Sequence, residues 1–448
     1  MVSRTPLTSI STAVTSKTAL LLCLGGLACA PPPEDKPEPV DEGPEPFSWS
    51  ATEEKRLGKL WPLESPPADP TNAVAEDDAA AHFGQYLFFE TRLSGSGDFS
   101  CATCHLPENG FADPLQLSEA AGTPQRHTPS VLNTAYNNWF YWDGRADTHW
   151  AQALSPLEAE AEQGTNRLAV AHLVTEDPAL ATAYGAIFGE APDLTDTERF
   201  PANARPITNE PDHPEDVAWE AMSPEDQHTV NQVFSNIGKA IAAYERRLIR
   251  ANSPFDAFAE AVITGEGDRY AIPDEAKRGL RLFLDEGRCF ACHSSPSFTN
   301  QEFHNIALPA TEGIDNESDG RTTGIDLLLA DPFNGGGLYS DDPESVELKL
   351  EYLLLSPEQD GQFKTPSLRN LMTTAPYMHG GHFTDLTEVV RHYSEMDDKP
   401  LVGHREELLF PLYWDDDQIA DVVAFLVSLE GEPLDPALLE QPESPLLE

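Results

Sequence analysis

The sequence is poor in positive charge. Its 448 residues include 28 lysines and arginines against 76 aspartates and glutamates, which gives a formal net charge of −48. Nucleic acid is excluded as a natural partner, because its phosphates would be repelled rather than neutralised. The charge leaves a small uncharged substrate unaffected and would attract a basic protein. We interpret most of the acids as a solvated surface that keeps the protein soluble.

Long hydrophobic runs are almost absent. The one such run covers residues 19–28, behind two basic residues, and is too short to span a bilayer. Residues 1–28 are therefore predicted to be a secretory signal peptide. Residues 26–29 resemble a bacterial lipobox, which would make Cys29 the lipidated first residue of a periplasmic lipoprotein; plain cleavage near Cys29 is the alternative. The membrane is expected to be reached only through this anchor.

Cysteine is also scarce, and its placement is the most informative feature of the chain. Four of the six cysteines belong to two copies of Cys-x-x-Cys-His, which are Cys101, Cys104 and His105, and Cys289, Cys292 and His293. In this motif the thiols add across the vinyl groups of a haem, and the histidine becomes an axial iron ligand. The chain is therefore predicted to carry two covalently bound haem c groups. A zinc site or a thioredoxin-like redox pair would not explain both histidines.

Strand patterns are missing as well, since no run of alternating apolar and polar residues appears. Helical periodicity predicts a mainly α fold, with two haem domains in tandem and long loops. Residues 29–50 are rich in proline and acid and are expected to form an extended tether. An N-terminal haem domain is placed at residues 51–260, a C-terminal one at 261–432, and an acidic tail, expected to fray, at 433–448. No repeat other than the haem motifs is visible.

Residues typical of helix starts mark four helices, which begin near Ser223, Pro273, Asp385 and Asp415. Glu388 is expected to complete a capping box with Asp385. Gly431 is expected to end the last helix.

The haem motifs lie inside a longer pattern. It consists of Phe83-Gly84-Gln85-Tyr86-Leu87-Phe88-Phe89 before the first motif, Arg126-His127-Thr128-Pro129-Ser130 and Trp142-Asp143-Gly144-Arg145-Ala146 after it, and Phe363-Lys364-Thr365-Pro366-Ser367-Leu368-Arg369-Asn370 and Ala375-Pro376-Tyr377-Met378-His379 after the second. This pattern resembles the bacterial dihaem cytochrome c peroxidases, a family that includes MauG, the methylamine-utilisation protein. The resemblance covers about residues 77–431 and implies two cytochrome c-like domains that face one another.

The resemblance also implies a function. A member of this family reduces hydrogen peroxide to water with electrons from a small redox protein, either a cytochrome c or a cupredoxin. Peroxide cleavage is assigned to the haem on His105 and electron entry to the haem on His293. A MauG-like enzyme, which uses peroxide-derived high-valent haems to oxidise residues of a partner protein, is the alternative. A non-catalytic dihaem electron carrier is a further alternative, and formation of a homodimer is left open.

By the same resemblance, three residues serve the first haem. Glu162 matches the family's catalytic glutamate and Gln152 its positioning glutamine, which together would move a proton between the two peroxide oxygens. Trp142 matches a tryptophan that relays electrons between the haems; taken alone, it would be a packed core residue. Residues 106–126 lack the histidine that closes the first iron in many members, so this haem is expected to be five-coordinate or water-bound at rest. His127 is the nearest alternative ligand.

The second haem and a calcium ion involve further candidate ligands. The distal ligand falls on Tyr393, where MauG has tyrosine and the peroxidases have methionine; Met378 is the rival ligand. A phenolate would stabilise ferric iron and lower the haem potential. The family's calcium ion is held partly by carbonyls that match Thr374 and Pro376. His127 replaces its asparagine ligand, which is a poor exchange for a cation that prefers oxygen, so calcium is left open.

Overall fold

The computed structural model describes residues 47–208 and 210–447. Its longer elements, in chain order, are α1 (Ala51–Leu57), α2 (Asp78–Phe88), α3 (Cys101–Cys104), α4 (His149–Glu158), α5 (Arg167–Glu176), α6 (Pro178–Phe188), α7 (Pro214–Ala221), α8 (Pro224–Glu245), α9 (Pro254–Thr264), α10 (Asp274–Leu284), β1 (Phe303–His304), α11 (Arg321–Ala330), α12 (Glu347–Glu351), β2 (Phe363–Lys364), α13 (Leu386–Glu395) and α14 (Asp416–Val427). The prediction of a mainly α fold is confirmed. The predicted signal peptide, Cys29 and residues 30–46 of the predicted tether lie outside the described residues.

β1 and β2 pair in antiparallel register, and Phe303 faces Lys364. None of the described helices is both long enough and apolar enough to cross a membrane. The two short strands therefore only join two long loops, and the helices form the framework of the fold.

The predicted helix starts are present, but one expected capping box and one expected helix end differ from the prediction. α8 begins at Pro224 behind the Ser223 cap, and α10 begins directly after Pro273. The Asp385 side chain accepts a hydrogen bond from the Glu388 backbone at 2.9 Å, but the Glu388 carboxylate accepts from the backbone of Thr384 and so does not close the expected box. α14 ends at Val427, ahead of Gly431. Local capping residues thus locate the starts better than the ends.

Two helix crossings form the centres of two hydrophobic clusters. α2 crosses α8 at Gly84, where an added Cβ would lie 1.8 Å from the carbonyl oxygen of Ala240. α10 crosses α14 in the same way at Gly279, where a Cβ would lie 1.9 Å from the carbonyl oxygen of Asp421. Only glycine permits so close an approach of two backbones. Each crossing brings a phenylalanine ring close to a haem-motif histidine, at 6.4 and 6.3 Å between centroids.

The two crossings belong to an internal repeat that extends beyond the haem motifs. The Asn133 and Asn370 backbones lie in the left-handed region, and each accepts a hydrogen bond on its side-chain oxygen from the segment that follows α8 or α14. Their numbers differ by 237, as do those of the caps Thr148 and Asp385 on α4 and α13. The expectation that only the haem motifs repeat is therefore wrong. Pairs of residues can be matched between the halves.

Both ends of the described chain pack on the half that is distant in sequence. Leu57 and Leu60, near the beginning, lie in the same cluster as α10 and α14. Near the other end, the Tyr244 hydroxyl of α8 donates a hydrogen bond to the Leu438 carbonyl at 2.6 Å. The leucines that pack on the first cluster from this end are Leu434, Leu438, Leu439 and Leu446. The acidic tail expected to fray is thus held by apolar contacts and hydrogen bonds, because its leucines find a partner surface on α2 and α8.

Candidate functional site

The two haem-motif histidines present their rings in the same way. His105 Nδ1 donates a hydrogen bond to the Phe111 carbonyl at 3.1 Å, and His293 Nδ1 donates to the Phe298 carbonyl at 2.6 Å. Because a carbonyl only accepts, each ring carries its proton on Nδ1 and leaves Nε2 unprotonated. A backbone partner of this kind fixes the tautomer and orientation of a metal-binding imidazole. Both histidines are therefore prepared to bind iron through Nε2.

The motif cysteines within the described residues are free thiols. Burial raises the pKa of Cys101 and Cys289 to about 12, and that of Cys104 and Cys292 to about 11. A thioredoxin-like redox pair needs a lowered thiol pKa, so this alternative does not fit the site. Free thiols at this spacing, each pair followed by an oriented histidine, fit covalently attached haem.

Glu162 lies beside the first haem motif. Burial raises the pKa of Cys104, and the negative charges of Asp113 and Glu162 add to this rise. The pKa of Glu162 is itself raised by burial, and the positive charge of Arg145 opposes this rise. A carboxyl group that holds its proton more tightly than usual is suited to exchange a proton with a bound substrate. The structure thus brings the predicted acid-base residue to the first haem site.

Arg145 is a site residue that the sequence reasoning did not single out, although it belongs to the quoted Trp-Asp-Gly-Arg-Ala motif. Its guanidinium lies 3.5 Å from the ring centroid of Tyr141 and pairs with Asp143 at 3.0 Å. The Tyr141 hydroxyl donates to the Gln152 carbonyl oxygen at 2.9 Å, which ties this group to α4. Among the described residues, no hydrogen bond joins the Gln152 side chain to Glu162. The role of Gln152 as positioning partner stays a prediction.

Tyr393 lies close to the second haem motif. Burial raises its pKa, and the charges of Cys292 and Cys289 add to the rise. Its hydroxyl has no hydrogen bond within the part of the chain that the structure describes. Met378, the rival ligand, lies in a turn with a left-handed backbone, at φ 73°. By the shift of 237, Tyr393 matches Pro156 in α4, a residue that has no atom to bind iron.

Trp142 lies where the two halves meet. Its Nε1 donates to the His127 carbonyl at 2.9 Å, and its ring packs edge-on against His379 at 6.4 Å between centroids. Two backbone hydrogen bonds cross here, from His127 to the His379 carbonyl at 3.0 Å and from Lys364 to the Trp142 carbonyl at 2.7 Å. The shift of 237 relates His127 to Lys364 and Trp142 to His379, so it converts one of these hydrogen bonds into the other. Trp142 and His379 are therefore equivalent residues of the two halves. The position fits the predicted relay between the haems.

The candidate calcium ligands do not form a recognisable metal site. Within residues 47–208 and 210–447, no three His, Cys, Asp or Glu side chains come together to hold a metal ion. The buried His127 ring donates from Nδ1 to the Leu115 carbonyl at 3.2 Å, so it offers no oxygen ligand. Thr374 and Pro376 could contribute only their carbonyls, as predicted. Calcium stays a prediction.

Comparisons with known proteins agree with this geometry. The family model for the di-haem cytochrome c peroxidases matches residues 78–262. The chain is 33% identical over 375 residues to the methylamine utilization protein MauG of Methylorubrum extorquens, covering 83% of each protein. It is 29% identical over 407 residues to the cytochrome-c peroxidase IdrP1 of Pseudomonas sp. strain SCT, covering 88% of this chain and 92% of that protein.

Solved structures show the same fold. The diheme peroxidase BthA from Burkholderia thailandensis aligns with a TM-score of 0.58 at 21% identity, over 85% of this chain and 92% of that one. The predicted tandem of cytochrome c-like domains is thereby confirmed. Since a relative above 30% identity spans most of the chain, the protein is an oxidoreductase with two covalently bound c-type haems and belongs to the di-haem cytochrome c peroxidase family.

Proposed function

We propose that the protein reduces hydrogen peroxide at the haem on His105, with electrons that enter at the haem on His293. The reaction takes two electrons and two protons per peroxide and yields two waters. The observation that carries the proposal is the asymmetry of the two sites. Glu162 and Arg145 lie beside the first haem motif, whereas the phenol of Tyr393 lies beside the second. The first haem site has side chains that can transfer a proton, whereas the second has a side chain that can occupy the distal position of its iron.

The residues around the first haem have distinct tasks in this proposal. The haems, when bound, supply iron that takes up peroxide and stores electrons. Glu162 receives a proton from the peroxide oxygen nearer the iron and returns it to the far oxygen, which leaves as water. Asp143 raises the pKa of Arg145 against the effect of burial, so the guanidinium stays charged beside Glu162. Trp142, between the halves, passes electrons from the second haem.

Stopped-flow mixing of the reduced holoprotein with peroxide and a reduced donor protein tests this function. Rapid donor oxidation that depends on peroxide is the expected result, and no oxidation by any reduced cytochrome c or cupredoxin would refute the proposal. The EPR spectrum of the resting ferric protein should contain one high-spin signal, because residues 106–126 supply no histidine to the first iron. Two low-spin signals would instead support a non-catalytic electron carrier.

A MauG-like oxidation of residues on a partner protein is the second candidate. The observation in its favour is Tyr393 beside the second haem motif, together with the similarity to MauG. The variant Tyr393→Met should then lose partner oxidation, while Tyr413→Met, at a tyrosine 75% exposed, should not. If Tyr393→Met keeps full partner oxidation, this candidate is wrong.

Location and partners follow from the same proposal. We propose export to the periplasm, where family members act, with a lipid anchor on Cys29 that palmitate labelling of the wild type and of Cys29→Ala would test.

The net charge of −48 favours a basic donor, so donor oxidation should slow as ionic strength rises. Sedimentation tests for a homodimer, and activity after dialysis against a chelator tests for the calcium ion at Thr374 and Pro376.

A further inference from the structure

A buried acid-base pair lies in the first half and is used by none of the steps above. His149, the first residue of α4, and Glu245, the last residue of α8, approach to 2.5 Å between Nε2 and Oε2, and their side chains are 3% and 5% exposed. Within the described residues, Glu245 has no lysine or arginine at ion-pair distance. Burial of an ionisable pair is costly, and replacing it by apolar residues is often neutral or stabilising. The stability of the fold therefore does not explain this pair, and we infer that it serves a function.

The hydrogen bonds around His149 define the charge of this pair. The Thr134 hydroxyl donates its proton to the Val131 carbonyl at 2.8 Å, so toward His149 Nε2, at 3.2 Å, it can only accept. Nε2 therefore carries a proton, shared between Thr134 and Glu245. Within the described residues, the other ring nitrogen, Nδ1, is buried and has no hydrogen-bond partner, which suits an unprotonated nitrogen far better than a charged N–H. The ring is neutral, and the Glu245 carboxylate is a net negative charge.

The position of Glu245 makes its negative charge still more costly for the stability of the fold. It ends α8, where the helix dipole already presents partial negative charge. Phe140 stacks on the His149 ring at 4.9 Å between centroids, which adds apolar surface and no counter-charge. A buried anion normally requires a cation or a metal nearby. Among the described residues, the Glu245 carboxylate has one hydrogen bond, from His149, and no ion pair with a lysine or arginine.

Glu245 lies next to the place where the first haem is attached. It directly follows Tyr244, whose ring packs with Phe88 at 5.2 Å, and Phe88 in turn lies against His105. Burial raises the pKa of Cys101, and the charge of Glu245 is the next largest cause of this rise. The carboxylate thus acts on the thiol that would carry the first haem.

The internal repeat supplies a comparison for the second haem. Between α8 and α14 the residue numbers differ by 181, as in Ala240 and Asp421 at the two glycine contacts. By this shift Glu245 matches Leu426, and by the shift of 237 His149 matches Leu386. Both leucines are buried in the second cluster. The same scaffold therefore folds with two leucines in place of the pair.

We propose that Glu245, held by His149, is the built-in counter-charge of the first haem iron and lowers the reduction potential of that haem alone. A fixed negative charge favours the oxidised, more positive iron over the reduced one. Two unit charges about 10 Å apart, at an effective dielectric of about 20, interact strongly enough to change an equilibrium roughly tenfold, and this is the size of effect we expect. Glu245 and His149 are electrostatic and positioning residues, and neither needs to touch the substrate.

A spectroscopic redox titration of the holoprotein tests the proposal. Glu245→Gln should raise the first-haem potential by the equivalent of about a tenfold change, which is about 59 mV for one electron, and leave the second unchanged. The double variant His149→Leu, Glu245→Leu copies the second half and should show the same shift without loss of thermal stability. The transitions are assigned with Cys101→Ala, Cys104→Ala, which lacks the first attachment site.

Glu225→Gln is the matched control, because Glu225 is exposed in the first turn of the same helix, about 30 Å along its axis from Glu245. It should shift neither potential. The proposal is overturned if the variants of the pair fold and leave the first-haem potential at the control value, or if both haems shift equally. If Glu245→Gln does not fold, the double leucine variant decides by the same criteria.

Discussion

The glycine at the second helix crossing permits a quantitative prediction. In Gly279→Ala the new Cβ would lie 1.9 Å from the Asp421 carbonyl oxygen, whereas real Cβ contacts are essentially never shorter than 3.0 Å. The obstructing atom belongs to the backbone of α14 and cannot rotate away, so α10 and α14 must move apart. Overpacking of a core costs about 1–3 kcal/mol, and we expect about 3 kcal/mol here because both helices are rigid. For a domain of 150–250 residues this lowers Tm by about 6–12 °C.

Differential scanning calorimetry of the holoprotein measures the effect, and absorption of the haem on His293 reports on the second half separately. Gly185→Ala in α6 is the control, because its Cβ would meet no atom within 4 Å. This control should stabilise α6 by up to about 1 kcal/mol through helix propensity. If Gly279→Ala unfolds at the wild-type temperature while the control behaves as expected, the crossing is not the close backbone contact described above.

Three further predictions concern the first half. Glu162→Gln should lower kcat for peroxide reduction by about 10²- to 10⁴-fold in steady-state assays while the unfolding curve is unchanged; activity near wild type would remove Glu162 from the mechanism. Because burial raises the pKa of Glu162 above its ordinary value of 4.5, its ionised form is lost at a higher pH than usual, so the acid limb of kcat should lie above pH 4.5; a limb below that value would contradict the raised pKa. Tyr244→Phe removes the hydrogen bond to the Leu438 carbonyl and should cost about 1 kcal/mol in denaturant unfolding; an unchanged midpoint would mean that the tail is not held there.

Features that depend on a few neighbouring residues could be predicted from the sequence. The haem attachment sites follow from two pentapeptides, and the start of α8 follows from Ser223 before a proline. These signals are local, so no knowledge of tertiary contacts is needed to interpret them. Glu162 was located only through the family resemblance, and its neighbour Arg145 became apparent only when the fold brought the two together.

The extent of the internal repeat and the position of the tail could not be predicted in this way. The numerical shift between the halves is 188 at the haem motifs, 237 at Asn133 and Asn370, and 181 at Ala240 and Asp421, because loops of unequal length separate the matched segments. No single offset aligns the halves, and apart from the haem motifs only short runs such as Thr-Pro-Ser at residues 128–130 and 365–367 look alike in sequence. The tail was interpreted from its proline and acid content, but Leu438 and its neighbours bind a surface that exists only after α2 and α8 have packed.

The exchanged ends of the chain limit how the molecule can be divided or assembled. Leu57 and Leu60 complete the core of the second half, and the stretch from Leu434 to Leu446 covers the core of the first. Neither half is a continuous piece of sequence, so cutting the chain between α8 and α9 would leave two fragments that each lack part of their own core. A variant that keeps only one haem-binding half would need the segments of that half joined in a different order. During synthesis, the first half cannot reach its final packing until residues 434–446 have been made.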